Sequence, residues 1–210
     1  MYDAVLFDLD GTLVDTESVS FETGAEAFAA MGVTADLALM RSMVGKDQAA
    51  TRAVIRAAYP GIDVDALDAH WRAAFKRRVA QELQLKPGVL DLLASISLPM
   101  AVVTSSGRTE AHLKVDKVGL AHHFRFIVSV DDVAHAKPAP EPFLLAARKL
   151  GVDPARCLVF EDSDTGAEAA HRAGCTVVQV PDMQPSTGPF AHHLAPDLLA
   201  GARMAGLVLA

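Results

Sequence analysis

The stretch Ala4-Val5-Leu6-Phe7-Asp8-Leu9-Asp10-Gly11-Thr12 decides how this chain reads. Its short, unbroken apolar run fits a strand buried on both faces, the kind found inside a parallel sheet. The run stops at Asp8 and Asp10, and in open α/β sheets ligands bind beyond the carboxyl ends of strands. If the chain stays extended, a period of two puts both carboxylates on one side. Neighbouring carboxylates repel, which is tolerable with a bound cation or a shared proton. Gly11 lets the chain turn sharply afterwards. By itself the stretch also fits an acidic strand end followed by an ordinary turn.

Further short apolar runs lie at Met100–Val103, Phe126–Val130, Leu158–Phe160 and Thr176–Val180. Helix-like stretches alternate with them at Gly88–Ser95, Thr109–Val118, Glu141–Leu150 and Thr165–Ala173. Gly151 and Gly174 follow the last two, where helices commonly stop. The alternation predicts an α/β fold with a Rossmann-like parallel sheet covered on both faces. Residues 16–86 break the pattern and read as helix after helix: Glu17–Met31, Ala35–Met43, Gln48–Ala58 and Ala66–Glu82. The expectation is an all-helical cap domain over residues 16–86, inserted into a core domain of residues 1–15 and 87–210. After Val180 the tail is expected to pack a last helix or short strand onto the core, with no functional signal of its own.

The 210 residues suit one domain carrying a smaller inserted one, and 51% hydrophobic residues supply a real core. A net charge of -7 argues against nucleic acid as a partner, since backbone binders cluster positive charge. It leaves a phosphate ester open, because a metal ion and a few local cations can dominate a site. Cys157 and Cys175 border apolar runs outside any Cys-x-x-Cys pattern and read as buried free thiols. No basic leader precedes the first strand and no apolar stretch reaches membrane-spanning length, so a cytoplasmic protein with no membrane partner is expected, and a monomer is the simplest expectation for its oligomeric state.

Three other places carry chemistry. Thr104-Ser105-Ser106-Gly107 closes the second strand as a hydroxyl-rich turn opening a helix, suited to phosphate oxygens and equally to an ordinary helix cap. Lys137 sits in the stiff segment Ala136-Lys137-Pro138-Ala139-Pro140, where a lone lysine is usually solvated. Glu161-Asp162-Ser163 ends the fourth strand, giving a second acidic pair that suits Mg²⁺ or a capped helix start. Each bland reading is respectable alone. Four coinciding, all at strand ends or the loops after them, are not.

This set resembles the haloacid dehalogenase superfamily, in its phosphatase and β-phosphoglucomutase-like branch with a helical cap. The resemblance rests on Asp8-Leu9-Asp10-Gly11-Thr12, Thr104, Lys137 and Glu161-Asp162-Ser163, and Gly88 matches the point where that family's chain re-enters the core. It implies that Asp8 attacks phosphorus and forms an aspartyl-phosphate, while Asp10 protonates the leaving oxygen and later takes a proton from water. It implies that Thr104, Ser105 and Lys137 hold the phosphate, with Lys137 and Mg²⁺ offsetting its charge. Asp8, the main-chain carbonyl of Asp10, and Asp162 would hold the ion, and Glu161 is a possible additional ligand. The superfamily's true dehalogenases lack the second aspartate, so Asp10 favours phosphate ester chemistry on a small phosphorylated metabolite.

The same core supports a phosphatase or a phosphosugar mutase. The mutase branch carries a histidine where this chain has Ser20, and an arginine in a cap segment where Val44-Gly45-Lys46-Asp47-Gln48 offers only Lys46. A hydroxyl cannot replace imidazole in proton transfer near neutral pH, so a phosphatase is expected. Arg72 and Lys76, spaced for one helical face, are candidates to meet the leaving group, although Arg72, Lys76, Arg77 and Arg78 also read as a solvated face. Ser106 and Arg108 are candidates to sense the substrate. His122-His123 and His192-His193 fall in segments that read as turns and are taken as surface imidazoles. A catalytically silent phosphate binder is a third reading, disfavoured because Asp8 and Asp10 are both present.

Overall fold

A computed structural model gives the fold, and the structure describes residues 1–43 and 48–210. Lys46 therefore lies outside the described residues. In chain order the elements are β1 (Ala4–Phe7), α1 (Thr16–Ala30), α2 (Leu37–Met43), α3 (Gln48–Ala58), α4 (Val64–Gln81) and α5 (Val89–Ser95). There follow β2 (Met100–Val103), α6 (Arg108–Lys117), β3 (Ile127–Val128), α7 (Glu141–Leu150) and β4 (Cys157–Glu161). The chain ends with α8 (Asp164–Arg172), β5 (Thr176–Gln179), β6 (His193–Leu194) and α9 (Leu198–Met204). They form two compact units, Met1–Asp15 with Gln84–Ala210, and Thr16–Leu83.

In the first unit the strands pair in parallel in the order β3-β2-β1-β4-β5-β6. Val5 faces Met100 of β2 on one side and Leu158 of β4 on the other. The strand order reverses at β1, so the carboxyl ends of β1 and β4 flank the switch point where such sheets bind ligands. Alternation along the strands splits the side chains between two faces. Ala4, Leu6, Val103, Val159 and Val177 pack with Phe143 and Ala147 of α7 and with Ala167 and Ala170 of α8. On the opposite face the Phe7 ring stacks on Phe160 at 5.0 Å, and α9 comes so close that a Cβ on Gly201 would sit 2.4 Å from Val178.

The structure departs from the sequence reading in four places. The strand expected over Phe126–Val130 is confined to Ile127–Val128, because the Ser129 amide and hydroxyl donate to the Asp132 carboxylate and start a 3-10 turn. His193, read as part of a turn, lies in β6, where the tail pairs with β5 before α9 follows. The helical unit ends at Leu83, not Lys86. The Asp15 amide donates to Gln84 (2.9 Å) and the Lys86 amide to Leu13 (3.0 Å), so residues 84–86 belong with β1. Arg78, read as solvated, pairs with Glu22 (2.7 Å) and Glu26 of α1.

The second unit has its own core, built from Phe28, Met40, Ile55, Val64 and Leu67. Helices α1 and α4 approach closely at Gly24, where a Cβ would come within 2.6 Å of the Trp71 ring. The Trp71 indole N–H donates to the Ser20 carbonyl at 2.9 Å, satisfying the ring's polar edge. Cys157 and Cys175 are buried free thiols. Among the described residues no helix is long and apolar enough to cross a membrane.

Candidate active site

Asp8 directly follows β1, and its amide donates to the Phe160 carbonyl at 2.9 Å, which fixes it against β4. Gly11, at φ 84°, then turns the chain in a conformation that other residues rarely adopt. It also leaves room for a neighbour, because a Cβ there would sit 2.3 Å from the Asp162 carboxylate. Gly166 does the same for Glu161, whose Oε1 would lie 1.8 Å from an added Cβ. Both glycines let acidic side chains crowd the switch point.

Asp8, Glu161 and Asp162 each offer a carboxylate oxygen, and these atoms lie within 4.8 Å of one another. Lys137 enters from the loop before α7 and donates to Asp8 Oδ1 (2.6 Å), Glu161 Oε1 (2.6 Å) and the Val103 carbonyl (2.8 Å). Its side chain is 4% exposed, so it is not the solvated lysine that its loop position alone would suggest, and it lies among the acidic strand ends. Burial by itself would lower the Lys137 pKa, but the Asp8 and Glu161 carboxylates outweigh it and raise it. Asp8 is pushed up to about 8, first by burial, with Lys137 opposing and Glu161 and Asp10 adding to the rise. Two carboxylates share one ammonium, so a proton or a cation is needed to balance the charge. Glu161 gives its other oxygen to the Ser163 amide (3.2 Å) and hydroxyl (3.0 Å), and Ser163 caps α8 by accepting from Gly166.

Asp10 is held differently. Its Oδ1 accepts from Lys114 (2.7 Å), and its Oδ2 accepts from Ser106 (2.7 Å) and lies 3.5 Å from the Thr104 hydroxyl. Thr104 is buried at the end of β2, and its hydroxyl also accepts from the Ser106 amide. Ser105 is exposed. Arg108 is turned towards the loop after β3, its amide donating to Asp131 and its guanidinium to Asp132 (2.6 Å).

Two participants escaped the sequence reading. Lys114 is one, and its signal was present: it shares the buried side of α6 with Ala111 and Val115, where a lysine is out of place. Gln179 is the other, fully buried at the end of β5, donating to the Asp162 carbonyl (3.2 Å) and to Asp164 (2.8 Å). Nothing local marks it, since its partners are far along the chain. In the helical unit, Ser20 and Arg72 line one cavity of about 370 Å³ with Asp68, Trp71 and Phe75, whereas Lys76 is exposed and not part of it.

A family model described as haloacid dehalogenase-like hydrolase matches residues 5–180. Fructose-1-phosphate phosphatase YqaB of Escherichia coli is 34% identical over 182 residues, covering 85% of this chain and 96% of that protein. The phosphorylated carbohydrates phosphatase of Thermotoga maritima is 33% identical over 184 residues, 82% of each chain. Among solved structures, CbbY from Rhodobacter sphaeroides in complex with phosphate aligns with a TM-score of 0.75 at 28% identity, covering 99% of both chains.

Proposed function

Since the chain belongs to the haloacid dehalogenase-like hydrolases and is a phosphoric monoester hydrolase, we propose that it dephosphorylates a small phosphorylated metabolite, a sugar phosphate or similar, through Asp8. The observation that carries this reading is the meeting of Asp8, Lys137, Glu161 and Asp162 at the switch point of a parallel sheet. In this reading an Asp8 oxygen attacks phosphorus as the ester P–O bond breaks, and Asp10 gives its proton to the departing oxygen. Asp10 then takes a proton from water as that water's oxygen bonds to phosphorus and Asp8 is released. Lys137 offsets charge on the transferring group, and Thr104 with Ser105 and the following backbone holds its oxygens.

The acidic cluster fits a divalent cation of the Mg²⁺ type, since its oxygens are hard donors within 4.8 Å of one another and carry more negative charge than Lys137 balances. Asp8, Asp162 and the Asp10 carbonyl would hold it, with Glu161, both of whose oxygens already accept hydrogen bonds, as an additional ligand. When bound, the ion supplies positive charge beside the phosphoryl oxygens. Residues Thr16–Leu83 act as the substrate-selecting cap, with Ser20 and Arg72 as its candidate contacts. Water rather than a sugar hydroxyl is the acceptor because Ser20 cannot do the work of an imidazole.

The test is hydrolysis of an aryl phosphate and a panel of sugar phosphates with Mg²⁺, coupled to borohydride trapping of the phosphoenzyme. Label recovered on the peptide holding Asp8 is expected. Turnover that yields a phosphosugar isomer without free phosphate would replace this reading with the mutase.

A further inference from the structure

Lys114 has no part in the chemistry just described, yet its whole residue is only 3% exposed. Burying an ammonium carries a desolvation penalty that a leucine on the same helical face would not incur. The partners that compensate it form a closed ring. Lys114 Nζ donates to Asp10 Oδ1 at 2.7 Å and to Ser106 Oγ at 2.9 Å, while the Ser106 hydroxyl donates to Asp10 Oδ2 at 2.7 Å. Close donors on both carboxylate oxygens fix the position and the plane of the group. The Asp10 side chain is nevertheless 30% exposed against 4% for Lys114, so the lysine grips it from beneath and leaves it accessible.

We propose that Lys114, with Ser106, is the positioning residue for Asp10, aiming its carboxylate for both proton transfers. The proposal rests on the reading of Asp10 as the acid and base. Its consequence differs between the two half-reactions. p-Nitrophenolate leaves without needing a proton, so the first step on p-nitrophenyl phosphate tolerates a misaligned Asp10. The second step does not, because water must still lose a proton as it attacks phosphorus. Slowing only that step lowers kcat and KM together and leaves kcat/KM unchanged.

The experiment is rapid-mixing kinetics of the full chain with Mg²⁺ and p-nitrophenyl phosphate, comparing Lys114→Met, Lys114→Gln and Ser106→Ala with Asp10→Asn. The lysine variants are expected to release a burst of about one nitrophenolate per enzyme, followed by turnover slower by about 10²-fold, the lower end of what an acid–base group contributes. With an alkyl phosphate, whose leaving group needs the proton, kcat/KM falls as well. Ser106→Ala leaves the buried charge in place, gives a milder form of the same signature, and decides the matter if the lysine variants fail to fold. A merely structural lysine would lower burst amplitude and kcat in proportion at constant KM. That result, or wild-type turnover without a burst, overturns the proposal while a burst in Asp10→Asn leaves the reading of Asp10 intact. Wild-type behaviour in Asp10→Asn removes the reading and the proposal together.

Discussion

Asp8→Asn keeps the shape of the side chain and removes the oxygen proposed as nucleophile, so turnover should fall by at least about 10³-fold while circular dichroism stays unchanged. The same residue gives the pH behaviour. In the folded chain without metal its carboxyl holds a proton up to about 8, against 3.8 as the ordinary value. Between those limits the folded state binds more protons than the unfolded one, so stability conferred by the protonated group falls as pH rises through the window. A divalent ion held by Asp8, as proposed, would take the place of that proton. The gain in thermal midpoint from Mg²⁺ over EDTA should therefore be larger at pH 8 than at pH 5, and an equal gain at both would exclude Asp8 from the ion's ligands. Asp8, Asp10, Thr104, Lys137 and Glu161-Asp162 were legible in the sequence because each lies in a short local motif. Lys114 and Gln179 were not, because each is defined by partners brought in from other segments: Asp10 lies 104 positions from Lys114.

At the level of elements, two glycines control packing. A Cβ on Gly166 in α8 would overlap Glu161, and one on Gly24 in α1 would press into Trp71 and Met40. Gly166→Ala and Gly24→Ala should each cost about 1–3 kcal/mol, the usual range for overpacking, measured by denaturant unfolding. They should differ in activity. Displacing Glu161 loosens Lys137, so Gly166→Ala should also lower kcat, whereas the effect of Gly24→Ala should be confined to the stability of the helical unit. Helices such as α7 and strands such as β1 were readable because periodicity and end signals agreed. The extent of β3 and the place of β6 were not: each has only two residues, set by the turn at Ser129 and by pairing with β5.

For the whole molecule, the hydrogen bond from the Asp15 amide to the Gln84 carbonyl puts the two chain crossings side by side. Excising residues 16–83 and joining Asp15 to Gln84 should thus leave a sheet that folds cooperatively, because its core draws on its own unit. That shortened chain should hydrolyse p-nitrophenyl phosphate with Mg²⁺, lose activity in EDTA, and no longer discriminate among sugar phosphates. Retained discrimination would place substrate selection in the sheet unit.

The sequence alone determined the α/β class, the helical insertion and the acidic strand ends, since apolar period, breakers and short motifs are properties of neighbouring residues. Tertiary structure alone decided the strand order, the burial of Lys137 between Asp8 and Glu161, and the pairing of Lys114 with Asp10. Electrostatic balance depends on distance in space, and distance along the chain does not encode it.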